Sequence, residues 1–161
     1  MALLDWSDKL ALGLERMDAT HREFVEQLNA LHASSDADYL PLLDAFIEHT
    51  VAHFEQEQRW MQEIEFPPIH CHTHEHEGVL GIMRDVRRMV AEGKQEVGRV
   101  LTRELAPWFE NHAAGMDATL AFFLRCRDAG VDPMQALAAQ AQGGCAGSGA
   151  PREEQHQPPA P

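Results

Sequence analysis

The chain has 161 residues, enough for one domain of ordinary size, and 44% of them are hydrophobic, so it can bury a core. Its 26 acidic and 13 basic residues give a formal net charge of −13, which argues against nucleic acid or an anionic membrane as a partner. We find no apolar run long enough to cross a bilayer and no secretory signal. Three scattered cysteines, Cys71, Cys126 and Cys145, then favour a cytoplasmic protein with reduced thiols.

Helical spacing of apolar residues along almost the whole chain predicts an all-α fold. An irregular N-terminal arm that contains Trp6 and ends near Gly13 comes first. We expect four long helices, at about residues 18–32, 38–65, 70–92 and from the GKQE segment to about 127. The second helix would have Asp38 as N-cap and Pro41 in its first turn, and Pro107 should kink or divide the fourth. Short connections predict an antiparallel up-down-up-down four-helix bundle in residues 1–130.

The composition changes in residues 131–161. Asp132 as a cap and Pro133 at the first helical position are typical of a short helix. The remainder is rich in Gly, Ala, Gln and Pro and has almost no large apolar side chain, so we expect it to be disordered.

The third helix begins with a run of histidines, HCHTHEHEG, at residues 70–78. His72 and His76 are four residues apart and share the apolar face of the helix. His70 and His74 form a second pair on the nearly opposite face, where we expect them to be solvated. Only the first pair should point into the bundle.

The other helices each place one histidine on their apolar face. His53 and Glu57 are four residues apart on the second helix, His21 lies on the first and His112 on the fourth. Asp117 follows His112 by five residues, about 140° around an ideal helix. It could reach the bundle centre from the flank of the face or through a local distortion of the helix. Inward histidines on four helices indicate a metal site.

The segments MDATHREF, HTVAHFEQE, FPPIHCHTHEH and WFENHAAGMD resemble, in order and spacing, the motifs of the hemerythrins, most closely the bacterial hemerythrins, over about residues 6–125. The resemblance implies a non-haem centre of two iron ions, bridged by Glu57, Asp117 and an oxo or hydroxo group. Of the histidines it implies as ligands, three complete one iron, and two hold the other and leave a position for O2. These are His72, His76 and His112 for the first iron and His21 and His53 for the second.

We expect apolar side chains to line the pocket around the open position, namely Phe24, Leu28, Trp60, Leu80, Phe109 and Met116. The sequence departs from common family residues at Phe66, Val79 and Ala113. These departures should reshape the pocket without preventing metal binding.

The resemblance implies reversible O2 binding, as a carrier, store or local supplier, and no enzymatic activity. One alternative is a di-iron sensor or regulatory module that meets a protein partner through the acidic surface or the tail. A second is a di-iron peroxidase or nitric-oxide-handling enzyme.

Three further side chains near the motifs have two interpretations each. His49 is more simply a hydrogen-bonded histidine at the edge of the core than a group that supports the metal ligands. Asp18 could orient His21 or cap the first helix. Cys71 could belong to a zinc-type site with neighbouring histidines, but the sequence offers no second thiolate beside it.

Overall fold

The computed structural model of the protein describes residues 1–143. Within that part of the chain the secondary structure is helical, which confirms the predicted all-α class. The helices are α1 (Glu15–Ala33), α2 (Asp36–Glu63), α3 (Ile69–Ala91), α4 (Gln95–His112), α5 (Ala118–Asp128) and α6 (Pro133–Gly143). A π-helical turn, Ala113–Asp117, joins α4 to α5, so that the three segments form the long fourth helix of the bundle.

The four long helices pack in a ring. Helix α1 contacts α2 and α4, α2 contacts α3, and α3 contacts α4. Because the connections are short, consecutive helices run antiparallel, as predicted. The buried apolar side chains form two clusters, one around Phe24, Phe46 and Phe109 and the other around Met17, Met61 and Leu120. A layer of buried polar side chains lies between the two clusters.

The start of α2 differs from the prediction. Its N-cap is Ser35, whose Oγ accepts a hydrogen bond from the backbone N–H of Asp38 at 3.2 Å. Asp38 is therefore inside the first turn, and its carboxylate accepts a hydrogen bond from the Ser35 hydroxyl at 2.6 Å. Pro41 lies inside the helix. Ser35 is as good a cap as aspartate, and the sequence offered both.

Pro107 does not divide the helix, since α4 continues through it from Gln95 to His112. Pro107 is on the exposed side of the helix, where water can solvate the carbonyl that proline leaves without a partner. The irregularity of the fourth helix lies instead at Ala113–Asp117.

Two polar side chains of α1, Asn29 and Asp18, bind the N-terminal arm. Asn29 accepts hydrogen bonds from the backbone N–H groups of Leu3 and Leu4, at 2.8 and 3.1 Å. Asp18 accepts those of Leu12 and Gly13, at 2.8 and 3.1 Å. Both oxygens of Asp18 thus hold the arm, so this residue neither orients His21 nor caps the helix as an N-cap.

Beyond the bundle, the carboxylate of Asp132 accepts a hydrogen bond from the backbone N–H of Gln135 at 2.9 Å at the start of α6. The segment expected to be disordered lies, from residue 144 onward, outside the described residues. Among residues 1–143, none of the helices combines the length and the apolar character needed to span a bilayer.

Candidate metal centre

The polar layer of the bundle consists of the side chains that the motifs singled out. All seven are buried, and each is at most 5% exposed. One candidate ligand atom from each member of a group lies within 4.8 Å of the others. The two groups are His21, His53 and Glu57, and Glu57, His72, His76, His112 and Asp117.

The first group, which we call the two-histidine half, contains His21 of α1 and His53 of α2. The Nε2 atom of His53 lies 2.8 Å from Oε1 of Glu57, and that of His21 lies 3.5 Å from the same oxygen. His21 Nε2 is also 3.3 Å from Oδ2 of Asp117. One oxygen of each carboxylate therefore faces this pair of imidazoles.

The second group, the three-histidine half, contains His72 and His76 of α3 and His112 of α4. The Nε2 atoms of His72 and His76 lie 3.2 and 3.4 Å from Oε2 of Glu57. Those of His72 and His112 each lie 3.1 Å from Oδ1 of Asp117. The Nε2 atoms of His76 and His112 face each other at 3.0 Å. The second oxygen of each carboxylate thus serves this half.

Glu57 and Asp117 stand between the halves. Each turns one oxygen to the two-histidine half and the other to the three-histidine half. Carboxylates in this position can bridge two metal ions.

The π turn places Asp117. In a π-helix, hydrogen bonds connect residues five apart, so His112 and Asp117 lie on the same side of the helix. Of the two explanations for this spacing, local distortion is therefore the one observed. The turn also moves Met116, which an uninterrupted helix would bring below His112, to a partly buried position beside it.

Both carboxylates stay ionised in spite of full burial. Burial raises the pKa of Glu57, but the nearby charge of His53 and contacts with His21 and His72 outweigh it and hold the pKa well below its usual range. For Asp117, burial and the charge of Glu57 raise the pKa. Contacts with His112 and His72 outweigh both effects, so the pKa lies below its usual value. The site therefore holds two buried negative charges that need cations near them.

Burial and the two carboxylates shift the pKa values of the histidines in different directions. Burial lowers the pKa of His76 to about 3, so this imidazole is neutral. Burial also acts on His72, but the carboxylates of Asp117 and Glu57 raise the pKa of this residue to about 9. Burial also lowers the pKa of His53, but the charge of Glu57, its hydrogen bond to His53 and the charge of Asp117 together outweigh burial and raise this pKa.

Buried polar atoms without hydrogen-bond partners in the described part of the chain show that the donor set fits metal ions. Glu57 Oε2, both Asp117 oxygens and the Nε2 atoms of His21 and His72 are buried, yet none has a hydrogen-bond partner among the described residues. The two nitrogens lie 3.1–3.3 Å from these carboxylate oxygens. Ligands at right angles on an ion with bonds of about 2.1 Å lie about 3.0 Å apart. The residues present can hold two such ions.

Aromatic rings enclose the two-histidine half. Phe109 meets the ring of His21 edge-on, with centroids 5.2 Å apart, and stacks on Phe24 at 4.4 Å. Phe24 in turn contacts Phe46 at 4.7 Å. On the outer side, Nε2 of His49 lies 3.0 Å from Oε2 of Glu23, which joins α2 to α1. His49 is thus a hydrogen-bonded histidine at the core edge, with its ring 6.2 Å from that of His53.

Different surroundings border the three-histidine half. Phe54 stacks on His76 with centroids 3.6 Å apart, and Trp108 stacks on His112 at 4.8 Å. The indole N–H of Trp108 donates to Oε1 of Glu75 at 2.9 Å. Next to these rings, a cleft of about 460 Å³ opens between the start of α3 and the π turn. Its walls include Cys71, Glu75, Trp108 and Gly115, and His72 and His112 also line it.

The residues expected to line an O2 pocket separate into several places. Phe24 and Phe109 contact the imidazoles of the two-histidine half, and Leu28 and Leu80 belong to the same apolar cluster. Trp60 instead packs in the other cluster, with Arg16 over its ring at 5.5 Å. Met116 lines the cleft on the opposite half. The lining of an O2 pocket by these side chains therefore stays a prediction.

Outside the candidate ligands, His70 and His74 are exposed, as expected from the face that they occupy. Cys71 is exposed too, and neither group of candidate ligands contains it. Two contacts escaped the sequence reasoning. The pairing of Glu23 with His49 left no local signal, whereas the stacking of Trp108 on His112 could have been inferred from their spacing of four.

A ring of four antiparallel helices with histidines and two shared carboxylates at its centre defines a class of metal-binding helical bundle. Comparison with known proteins agrees with this class. Residues 12–122 match the family described as Hemerythrin HHE cation binding domain. The chain belongs to the hemerythrin family.

Individual relatives lie within this family. The chain is 44% identical over 127 residues to a bacteriohemerythrin of Ralstonia nicotianae, covering 79% of this chain and 93% of that protein. It is 30% identical over 125 residues to a bacteriohemerythrin of Stenotrophomonas maltophilia, covering 75% and 81%. The crystal structure of a hemerythrin point mutant superposes with a TM-score of 0.72 at 26% identity, covering 77% of this chain and 98% of that one. The family implies a di-iron site, and the buried cluster is able to bind metal.

Proposed function

We propose that the chain holds two iron ions with the seven buried residues and binds O2 reversibly, as a carrier, store or local supplier. The observation that carries the proposal is the division of each carboxylate between two unequal groups of histidines. The half with two histidines has one imidazole fewer, which leaves room for an exogenous ligand. When bound, the pair of irons supplies the electrons that O2 takes up and later returns.

The charges of the donor set support binding over oxidation chemistry. Five imidazoles and two carboxylates leave two ferrous ions only partly neutralised. Ferritin-like oxidases use more carboxylates, with Glu-x-x-His pairs, and the extra negative charge favours the high oxidation states of the metal. This contrast supports a protein that binds O2 without turning it over.

The apolar wall of the two-histidine half supports reversibility. Phe24, Phe46 and Phe109 are each at most 1% exposed and pack as one group of rings beside His21. Such a wall keeps water from the reacting position and slows irreversible oxidation. The chain's own contribution is therefore to hold, orient and dry the site.

The free thiols of Cys71 and Cys126 suit a reducing compartment, so we place the protein in the cytoplasm. O2 is the ligand that we propose. In the alternative role as a sensor, a protein partner would bind the acidic surface.

Anaerobic loading with Fe²⁺ tests the proposal. We expect about two irons per chain and a visible absorption that appears in air, disappears when O2 is removed and returns over repeated cycles. Permanent conversion in the first cycle would contradict reversible binding. Rapid consumption of peroxide or nitric oxide by the reduced protein would support an enzyme instead. A partner whose affinity changes with O2 would support a sensor.

A further inference from the structure

The candidate ligands are buried, so metal ions need a route through the protein to reach them. His21, His72 and Asp117 are each at most 1% exposed. The two-histidine half lies behind the Phe24–Phe109 stack and the Glu23–His49 pair. The three-histidine half, in contrast, adjoins the cleft, where His72 and His112 form part of the wall.

We propose that divalent metal ions enter the protein through this cleft, with Cys71 and Glu75 as transient ligands on its wall, and fill the three-histidine half first. The inference rests on the proposed two-metal function. It adds a route and an order of loading, and it assigns a role to two residues outside the seven candidate ligands.

The side chains along the cleft form a series of metal-binding groups. Cys71 offers an exposed thiol, and Glu75 offers a partly buried carboxylate whose Oε1 atom is fixed by the indole of Trp108. Further in, His72 has both ring nitrogens buried and without a hydrogen-bond partner among the described residues, and His112 has its Nδ1 in the same condition. Thiolate, carboxylate and imidazole are all ligands of divalent transition metals.

The size and charge of the cleft also suit a hydrated ion. Six waters occupy about 180 Å³, at about 30 Å³ each. The cleft measures about 460 Å³, so an ion can enter with its hydration shell and exchange waters for protein ligands. The net charge of −13 attracts cations to the surface, and a carboxylate in a cleft concentrates them further.

Two smaller cavities are less suitable. One lies near Ser34 and Pro41, and the other near Glu65 and Phe123. Neither is lined by any of the seven candidate ligands. The cleft at the start of α3 therefore combines access, donor groups and direct contact with the centre.

The test follows Co²⁺ uptake by the metal-free full chain in stopped-flow absorption, and Co²⁺ release to EDTA. Gly115 lines the cleft and an added Cβ there meets no atom within 4 Å, so Gly115→Phe is chosen to obstruct it. Gly81→Phe is the matched control, since Gly81 is equally open but lies on the face of α3 that carries His74. We expect Gly115→Phe to slow uptake and release together, each by about tenfold, with the equilibrium affinity unchanged. Gly81→Phe should behave as wild type.

The transient ligands are tested separately. Cys71→Ser and Glu75→Gln should each slow uptake by about two- to tenfold, and Glu75→Gln keeps an acceptor for Trp108. His74→Ala, which removes an exposed imidazole from the same helix, should leave the rate unchanged. Equal rates for wild type, Gly115→Phe and Glu75→Gln would overturn the proposed route.

A covalent plug covers the case in which Gly115→Phe does not fold. In a Cys145→Ser background, a bulky maleimide attached to Cys71 of the folded protein should slow uptake at unchanged affinity. The same reagent applied to Cys71→Ser/Cys145→Ser is the control. If wild type binds fewer than two Co²⁺ at equilibrium, the two-metal function itself fails. If it binds two and the plugged protein loads at the same rate, only the route fails.

Discussion

The two halves of the centre share their carboxylates but differ in everything around them. The two-histidine half lies against stacked phenylalanine rings in the middle of the core. The three-histidine half lies against an open cleft and has Trp108 and Phe54 stacked on its imidazoles. On the proposed route, metal enters on the side away from the aromatic wall, so a single buried site would separate metal entry from the exclusion of water.

The largest effect is expected where the halves meet. Glu57→Ala removes the carboxylate that faces both halves, so both metal ions should be lost at micromolar metal. Metal analysis after gel filtration measures the content per chain. His74→Ala, an exposed histidine two residues from His72, should keep two ions. Loss of metal from His74→Ala with retention in His72→Ala would reverse the assignment of the faces of α3.

Removal of single histidines should distinguish the halves. In His53→Ala the three-histidine half keeps all of its imidazoles, and we expect about one tightly bound ion per chain, counted by titration with Co²⁺. In His112→Ala each half has two imidazoles, so both sites should bind weakly, with affinities lowered about 10- to 100-fold. Identical stoichiometry and affinity in the two variants would show that the halves are equivalent.

The aromatic wall and the cleft should differ in their contribution to stability. Phe24 is 0% exposed, so Phe24→Ala should lower the free energy of unfolding by about 3–5 kcal/mol. Trp108 is only half-buried beside the cleft, and Trp108→Ala should cost about half of that or less. Urea unfolding of the metal-free proteins provides the comparison. A larger loss for Trp108→Ala would place the structural core on the cleft side.

The smallest effect concerns the pair at the outer side of the two-histidine half. Burial lowers the pKa of His49 below 6.5, although its hydrogen bond to Glu23 opposes the shift, and His53 and His21 add to it. The unfolded chain therefore binds more protons than the folded one just below pH 6.5, so this contribution to stability is present above that pH and fades as the pH falls. Thermal unfolding of the metal-free protein between pH 7 and 5 should be less pH-dependent in His49→Gln. An unchanged slope would exclude His49.

Periodicity alone was sufficient for much of the fold. It predicts the four helices and the inward faces of α1, α2 and α3, because regular α-helices convert spacing directly into direction. It could not identify the partner of Asp18, since the backbone of the arm that Asp18 binds carries no sequence signal. It also could not show that α4 continues through Pro107, because tolerance of a helical proline depends on whether its side of the helix meets solvent.

For the metal centre, helical periodicity alone gave an incomplete prediction of the site. It brings His72 and His76 together on α3 and His53 and Glu57 on α2, as the structure does. It leaves Asp117 unresolved, because this residue lies at the end of the irregular turn after His112. The difference between the two sides of the site also escaped prediction, since a cleft arises from how helices diverge and not from the spacing of residues within one helix.

The π turn inserts one extra residue into the fourth helix, so every residue after it faces the direction that the preceding residue would have in a regular helix. An uninterrupted α-helix continued from Phe109 would place Met116 about 20° from the direction of Phe109 and Asp117 about 80° from it. In the structure Asp117 is buried and Met116 only partly so, which puts this inward position one residue later than that count. Deletion of one residue inside Ala113–Asp117 would therefore restore a regular helix with its downstream core residues still inside. The same deletion anywhere else in that helix would turn them out.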